Sequence, residues 1–313
     1  KDRVVQAALR NVIEPIFENQ FEESSYGFRP GRGCKDALRE VDLQLKAGKS
    51  WVVDVDVEAY FDSIPFDELM HEVSEQIADG RVLDLIEGFL RQGILEEMKF
   101  WLPERGTPQG AVISPLLANI YLHSVDRQMR EAGYQMVRYA DDMVILCDSR
   151  EEAEAALTEL RQLLEHKQLR LHPKKTKIVD ATQRPGFQFL GYNFFEGRRY
   201  PRKPSVDKLR EQIRKRTKRK RSDNLKTIIE SLNKVLVGWF EYFKHSSSHA
   251  FDAIDSWVRF RLRSILSKRR RRGHKRRRGR GLDHMRWPNA YFRAQGLFIL
   301  QEAHLRVRES RAG

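Results

Sequence analysis

The sequence predicts an α+β body, an all-helical module behind it, and a strongly basic carboxy-terminal region. Three observations carry that reading. Trp51–Val57 alternates apolar and acidic residues, and two short β-type runs flank Ala140-Asp141-Asp142, all set among segments of helical spacing. From Leu225 to Phe243 an unbroken apolar stripe at helical spacing replaces the strand signals. Charge divides sharply: residues 1–197 hold 24 Lys+Arg against 34 Asp+Glu, which leaves 34 basic and 10 acidic residues for 198–313. The first part is therefore −10 and the second +24.

The chain has 313 residues, 40% hydrophobic and 10% aromatic, enough for a sizeable core and against global disorder. No apolar run approaches the eighteen or so residues of a membrane-spanning helix. The chain opens Lys1-Asp2-Arg3 with neither initiator methionine nor leader, so it reads as a piece whose natural start lies upstream. Cys34 and Cys147 stand in unrelated settings, which argues against a disulfide framework or zinc knuckle and for a reducing cytosol.

In order, Val4, Val5, Ala8, Leu9, Val12, Ile13 and Ile16 recur at helical spacing over 3–18. Gly27, Pro30, Gly31 and Gly33 make Ser24–Gly33 a loop. Helical pattern returns over Lys35–Lys46, and valine-rich Trp51–Val57 predicts a strand. Residues 66–92 read as helix behind Pro65, Phe100–Leu102 as a short strand, and Gly106–Gly110 as a loop. Ser114–Glu131 is helical, with Pro115 tolerable in its first turn. Gln135–Tyr139 and Met143–Cys147 predict a hairpin with two carboxylates at its tip. Glu151–Lys167 is a helix, and Phe187–Phe195 a strand region centred on Gly191. Arg198–Arg221 is a basic stretch, followed by the 225–243 helix and a second carrying Phe251, Ile254, Trp257, Val258, Leu262 and Ile265. Lys268–Arg280, with ten Lys/Arg and no acid, is not expected to fold by itself.

Adjacent carboxylates repel, and a divalent cation with a preference for oxygen ligands relieves that cost. Asp56, ending the valine-rich strand, is placed to add a third carboxylate from a neighbouring strand. Three carboxylates holding two metals about 3.5–4 Å apart are the arrangement for in-line phosphoryl transfer. Asp54 competes with Asp56, because residues two apart face the same side of a strand.

Tyr139-Ala140-Asp141-Asp142 resembles the signature of reverse transcriptases. Ser25–Arg32, Asp54–Asp62, Gly106–Gly110, Ser114–Asn119, Lys175-Thr176-Lys177 and Phe189-Leu190-Gly191 stand in that family's order. Together they resemble the bacterial group II intron reverse transcriptase–maturase family, of the type without a carboxy-terminal endonuclease. Gly238-Trp239-Phe240, Tyr242 and Phe243 look like its thumb, or maturase, domain, and Trp287–Phe292 with Gly296-Leu297 like the segment after it. The resemblance implies a right-hand polymerase: palm with partial fingers over 1–197, helical thumb over 198–267, and a basic DNA-binding region over 268–313.

It also implies roles. Asp56, Asp141 and Asp142 match the catalytic aspartates holding two Mg2+ ions, with Mn2+ as a substitute and the Val57 backbone as a further ligand. Phe61 matches the aromatic beneath the sugar that selects deoxynucleoside triphosphates. Gln109 resembles the residue supporting the incoming nucleotide, Lys175 the lysine near the pyrophosphate, and Arg29 stands in a loop by the fingers, where a salt bridge or turn contact serves equally well. Arg214, Lys215, Arg219, Lys220, Arg269, Arg270, Arg276 and Arg277 are the candidate nucleic-acid contacts, since basic side chains bind polyanions with counterion release. Trp239, Tyr242 and Trp257 read mostly as thumb core.

The implied activity is RNA-directed DNA synthesis, with maturase binding that assists splicing and retrohoming. Its partners are an RNA template and primer, group II intron RNA and target DNA, in a bacterial cytoplasm and without a membrane. No motif sets an oligomeric state. Family members carry fingers strands before the helix that begins this chain, which leaves open an RNA-binding splicing cofactor without polymerase activity; a second alternative is a related reverse transcriptase recruited to host defence, with the same chemistry and no intron.

Overall fold

The computed structural model describes residues 2–312, apart from 92–93, 97–98, 102–104, 108–110, 248 and 272–281. The chain divides into two compact units, residues 1–190 with 195–197, and residues 191–194 with 198–313.

The first unit runs α1 (Asp2–Glu18), α2 (Cys34–Lys46), β1 (Trp51–Asp56), α3 (Tyr60–Ser63), α4 (Phe66–Ser74), α5 (Gly80–Leu90), β2 (Ile94–Glu96), β3 (Lys99–Trp101), α6 (Ser114–Glu131), β4 (Gln135–Tyr139), β5 (Asp142–Cys147), α7 (Arg150–His166), β6 (Lys177–Asp180) and β7 (Phe187–Phe189). Its main sheet is antiparallel throughout in the order β4-β5-β1-β6. Because side chains alternate along a strand, Val53, Val55, Met143, Ile145 and Cys147 share one face. That face packs on Leu117, Tyr121 and Val125 of α6 and Ala153, Ala156 and Leu160 of α7. Full burial of a valine, leucine, isoleucine or methionine side chain there contributes roughly 1.5–3 kcal/mol. The opposite face carries buried Val52, Val144 and Leu146 and, toward its end, the partly exposed Asp54 and Asp56.

The second unit adds β8 (Tyr192–Phe195), β9 (Arg198–Pro201), α8 (Lys203–Arg216), α9 (Leu225–Phe243), α10 (His249–Arg271), α11 (Asp283–Arg286), α12 (Asn289–Ala294) and α13 (Leu300–Ala312). Its core holds Leu209 and Ile213 of α8, Ile228, Ile229, Leu232, Leu236 and Phe240 of α9, and Phe251, Ile254, Val258, Leu262 and Ile265 of α10. The apolar stripes of the sequence are the buried faces of α9 and α10. Trp239 and Trp257 pack against the same core, half-buried.

Some expectations are corrected. The helix expected over 66–92 is two, because Asp79 accepts from the Arg81 and Val82 amides and starts α5 afresh. Phe187–Phe195 is broken by a turn, with Leu190 and Gly191 at φ +45° and +81°. The basic stretch 198–221 contains β9 and α8. Phe292, Leu297 and Leu300 enter the core of α8–α10, so residues after 282 fold onto the helical module. Most of Lys268–Arg280 lies outside the described residues. Among the described residues no helix is long and apolar enough to cross a membrane.

Candidate functional site

Strand register builds the site. Asp56 of β1 is the direct cross-strand partner of Asp142 of β5, which in turn faces Tyr139 of β4. Directly opposed residues on antiparallel strands have Cβ atoms about 4.5–5.5 Å apart. Asp141 stands in the turn between β4 and β5, beside Ala140 at φ +59°. Three carboxylate-bearing residues therefore meet at one end of the sheet, on the face away from α6 and α7. As the side chains stand, no group of three His, Cys, Asp or Glu among the described residues lies in metal-holding geometry.

A cation from the chain itself lies against this end. The Lys175 ammonium is 3.2 and 3.3 Å from the two carboxylate oxygens of Asp56. Thr176 fastens the same residue through the Asp56 backbone, its hydroxyl 3.2 Å from the carbonyl and 3.3 Å from the amide nitrogen. Asp54 points the same way but is less open, with a side chain 16% exposed against 38% for Asp56. Burial pushes the Asp54 carboxyl up, opposed by Lys177 at 3.5 Å. Between the two candidates, Asp56 is the one opposite Asp142 and open to solvent.

The hairpin tip is wedged from behind. A Cβ on Gly27 would stand 2.3 Å from the Ala140 nitrogen, so only glycine allows the 24–27 segment this close. That segment pairs with β4: the Tyr26 amide donates to the Arg138 carbonyl at 2.9 Å, and the Arg138 amide to the Ser24 carbonyl at 2.8 Å. Phe28 is exposed at φ +59°, its ring 6.4 Å from that of Tyr139. The Tyr139 hydroxyl is pushed up to about 12 by a hydrogen bond with Cys34 and by burial.

The other expected residues fall as follows. Val57 is buried and bridges Leu171. Phe61 is half-buried against the core and edge-on to Tyr60, centroids 5.4 Å apart. Its carbonyl accepts from the Thr107 amide at 2.7 Å, and Gly106 lies so tightly over this turn that a Cβ would sit 2.8 Å from the Asp62 Cα. Gln109 lies outside the described residues, as do Arg276 and Arg277.

Arg29 is corrected. Its guanidinium holds Glu18 at 2.8–3.1 Å and the carbonyls of Glu22 and Ser25 at 2.6 and 2.9 Å. Those bonds turn it inward as a fastener of the 18–29 loop, not outward to a nucleotide. Arg269 is likewise directed to the carbonyls of Arg221 and Asp223.

In the second unit, Arg214 and Arg261 both lie over the Trp257 ring, at 5.6 and 5.4 Å from its centroid. Burial, followed by the charges of Arg214 and Arg219, pulls the Arg261 guanidinium down. Lys215 pairs with Glu211 at 2.7 Å on an exposed helix face. Arg219, Lys220 and Arg270 are exposed.

Sequence reasoning missed Asn119, Asp126 and Arg138, which are buried behind the tip and hydrogen-bonded to one another. The available signal was Arg138, a charge on the strand position that faces the helices.

A family model described as reverse transcriptase (RNA-dependent DNA polymerase) matches residues 1–194. A group II intron, maturase-specific domain matches 206–282. Protein YkfC of Escherichia coli is 33% identical over 237 residues, 63% of this chain and 62% of that protein. Group II intron-encoded protein LtrA of Lactococcus lactis is 40% identical over 126 residues, 40% of this chain and 21% of its own length. The chain thus spans less than two thirds of these curated relatives. Among solved structures, an apo telomerase from Candida tropicalis superposes with a TM-score of 0.53 at 13% identity, over 83% of this chain and 53% of that one, which shows a shared fold.

Proposed function

Because the chain belongs to the reverse transcriptase family, with a group II intron maturase-specific domain behind the polymerase part, we propose that it is an RNA-directed DNA polymerase that also binds group II intron RNA. The observation that carries the polymerase reading is the pairing of Asp56 with Asp142 across β1 and β5, with Asp141 next to them at the hairpin tip.

The residues suit magnesium. All side-chain donors are carboxylate oxygens, which hard divalent ions prefer. Lys175 supplies a positive charge to Asp56. Asp56, Asp141 and Asp142 would hold the ions, with the Val57 backbone as a further ligand. Bound there, magnesium would supply Lewis-acid stabilisation of the phosphates and a more acidic primer hydroxyl.

In the proposed reaction the primer 3′-hydroxyl oxygen attacks the α-phosphorus of a deoxynucleoside triphosphate. A new phosphodiester bond forms and the bond to pyrophosphate breaks. Phe61, fixed by Tyr60 and by the Thr107 amide, would stand beneath the sugar and exclude a 2′-hydroxyl. Lys175 is one side chain away from Asp56, near enough to exchange that partner for the leaving group. Gln109 would support the incoming nucleotide.

The second unit would grip the template–primer duplex and intron RNA through exposed Arg214, Lys215, Arg219, Lys220 and Arg270, and target DNA through the basic segment that includes Arg276 and Arg277. Its charge of +24 over 198–313 supports that reading, because phosphate contacts dominate nucleic-acid affinity. Both cysteines are free, which suits a reducing bacterial cytoplasm. The test is magnesium-dependent primer extension on an RNA template. Deoxynucleotide incorporation is expected, and RNA binding without any incorporation would favour a splicing cofactor.

A further inference from the structure

Behind the hairpin lies an ion pair with no part in the reaction as described. Arg138 and Asp126 are 0% and 1% exposed. The Arg138 Nε donates to Asp126 Oδ1 at 2.7 Å and its Nη2 to Asp126 Oδ2. Taking two charges out of water is costly, and apolar residues of the same volume often serve stability as well or better. Stability alone is therefore a weak reason for the pair.

Its hydrogen bonds have direction instead. With the fork held by Asp126, the Arg138 Nη1 donates to the Ala140 carbonyl at 3.0 Å and to Asn119 Oδ1 at 2.9 Å. Asn119 Nδ2 then donates to the Gly27 carbonyl at 2.7 Å. One chain of contacts links α6, the residue in left-handed conformation before Asp141, and the glycine wedged under the tip. The planar guanidinium fixes all these acceptors at once, which a lysine cannot. Asp126 also balances the guanidinium charge close to Asp141.

We propose that Arg138, oriented by Asp126 and joined through Asn119 to Gly27, is a positioning residue that sets the Ala140-Asp141-Asp142 tip and couples it to the 24–27 segment. The proposal rests on the polymerase reading of that tip. It makes divalent-cation affinity and extension rate depend on a buried network that touches neither substrate nor metal.

The test uses the full chain and three variants: Arg138→Lys, Arg138→Met combined with Asp126→Leu, and Asn119→Ala. Five quantities are measured: the unfolding temperature, RNA affinity, Mn2+ binding by electron paramagnetic resonance, hydrogen exchange of segments 24–28 and 139–143, and extension rate against magnesium. The apolar pair should unfold cooperatively near the wild-type temperature and keep its RNA affinity. Its extension at saturating magnesium should fall about 100-fold, as misplacement by an ångström does. Its Mn2+ half-saturation should rise several-fold, and both segments should exchange faster.

Arg138→Lys should fall between the apolar pair and wild type. Asn119→Ala, which leaves the ion pair intact, should speed exchange in 24–28 and slow extension, and it keeps the test decisive if the apolar pair does not fold. Unchanged Mn2+ binding and extension in a folded variant would overturn the proposal, as would losses that track only the unfolded fraction. A wild-type chain whose Mn2+ binding at the tip depends on this network, yet which extends no primer, would sink the polymerase reading and leave the positioning role standing. No Mn2+ binding by wild type would end both.

Discussion

At Gly27 a single hydrogen atom decides how the hairpin sits. The Cβ that alanine would add there falls 2.3 Å from the Ala140 nitrogen, too short for any real contact, so Gly27→Ala must displace the tip or the 24–27 segment. Extension by this variant is expected to drop by about 100-fold, the cost of an ångström at a reacting centre. Steady-state kinetics check it, and wild-type turnover would mean that the wedge does not set the tip. Phe61 gives a second prediction at this scale. Its ring is held by Tyr60 and its carbonyl by Thr107. Phe61→Ala should raise ribonucleotide incorporation relative to deoxynucleotide by at least about tenfold, roughly 1.4 kcal/mol of discrimination. An unchanged ratio in competition assays would remove the sugar-gate role.

Elements were legible where burial is periodic. The alternation in Trp51–Val57 gave β1, and the stripes of α9 and α10 read correctly because each buries one face. The pair Asp141-Asp142 was legible through its turn, and Asp56 through its strand, although strand periodicity alone left Asp54 as a rival until the β1–β5 register set Asp56 opposite Asp142. Breaks within helical pattern were not legible, since Asp79 restarts α5 with a local side-chain cap that periodicity ignores. The two readings of Arg29 could not be separated, because its partners, Glu18 and the loop carbonyls, depend on a tertiary fold-back. The carboxy-terminal helices were missed for a like reason. Asp255 of α10 accepts from the Leu300 and Gln301 amides at 3.1 and 2.9 Å, capping α13 from a distance. Burial pushes its carboxyl up, and these two amides oppose the shift. Asp255→Ala should therefore cost about 1 kcal/mol, as loss of a helix cap does, and Asp255→Asn less. Chemical denaturation measures both, and equal stability of Asp255→Ala and wild type would deny the cap.

Over the whole molecule, acidic residues concentrate in the unit with the candidate metal site and basic residues in the helical unit. Affinity for RNA should fall linearly in log–log form as salt rises. Replacing Arg219, Lys220 and Arg270 together with alanine should flatten that slope by about 0.7–0.9 for each phosphate they neutralise in the wild type. A parallel line would mean that other residues bind the phosphates. The proposed division of labour between the two units also predicts that chemistry and binding separate on mutation. The most direct test compares wild type with the Asp141→Asn, Asp142→Asn double variant, measuring magnesium-dependent extension on an RNA template beside RNA affinity in the same buffer. Extension should vanish while affinity changes less than about twofold, under roughly 0.5 kcal/mol. Extension that survives the double change, or affinity that falls together with it, would contradict a catalytic metal site at the hairpin tip.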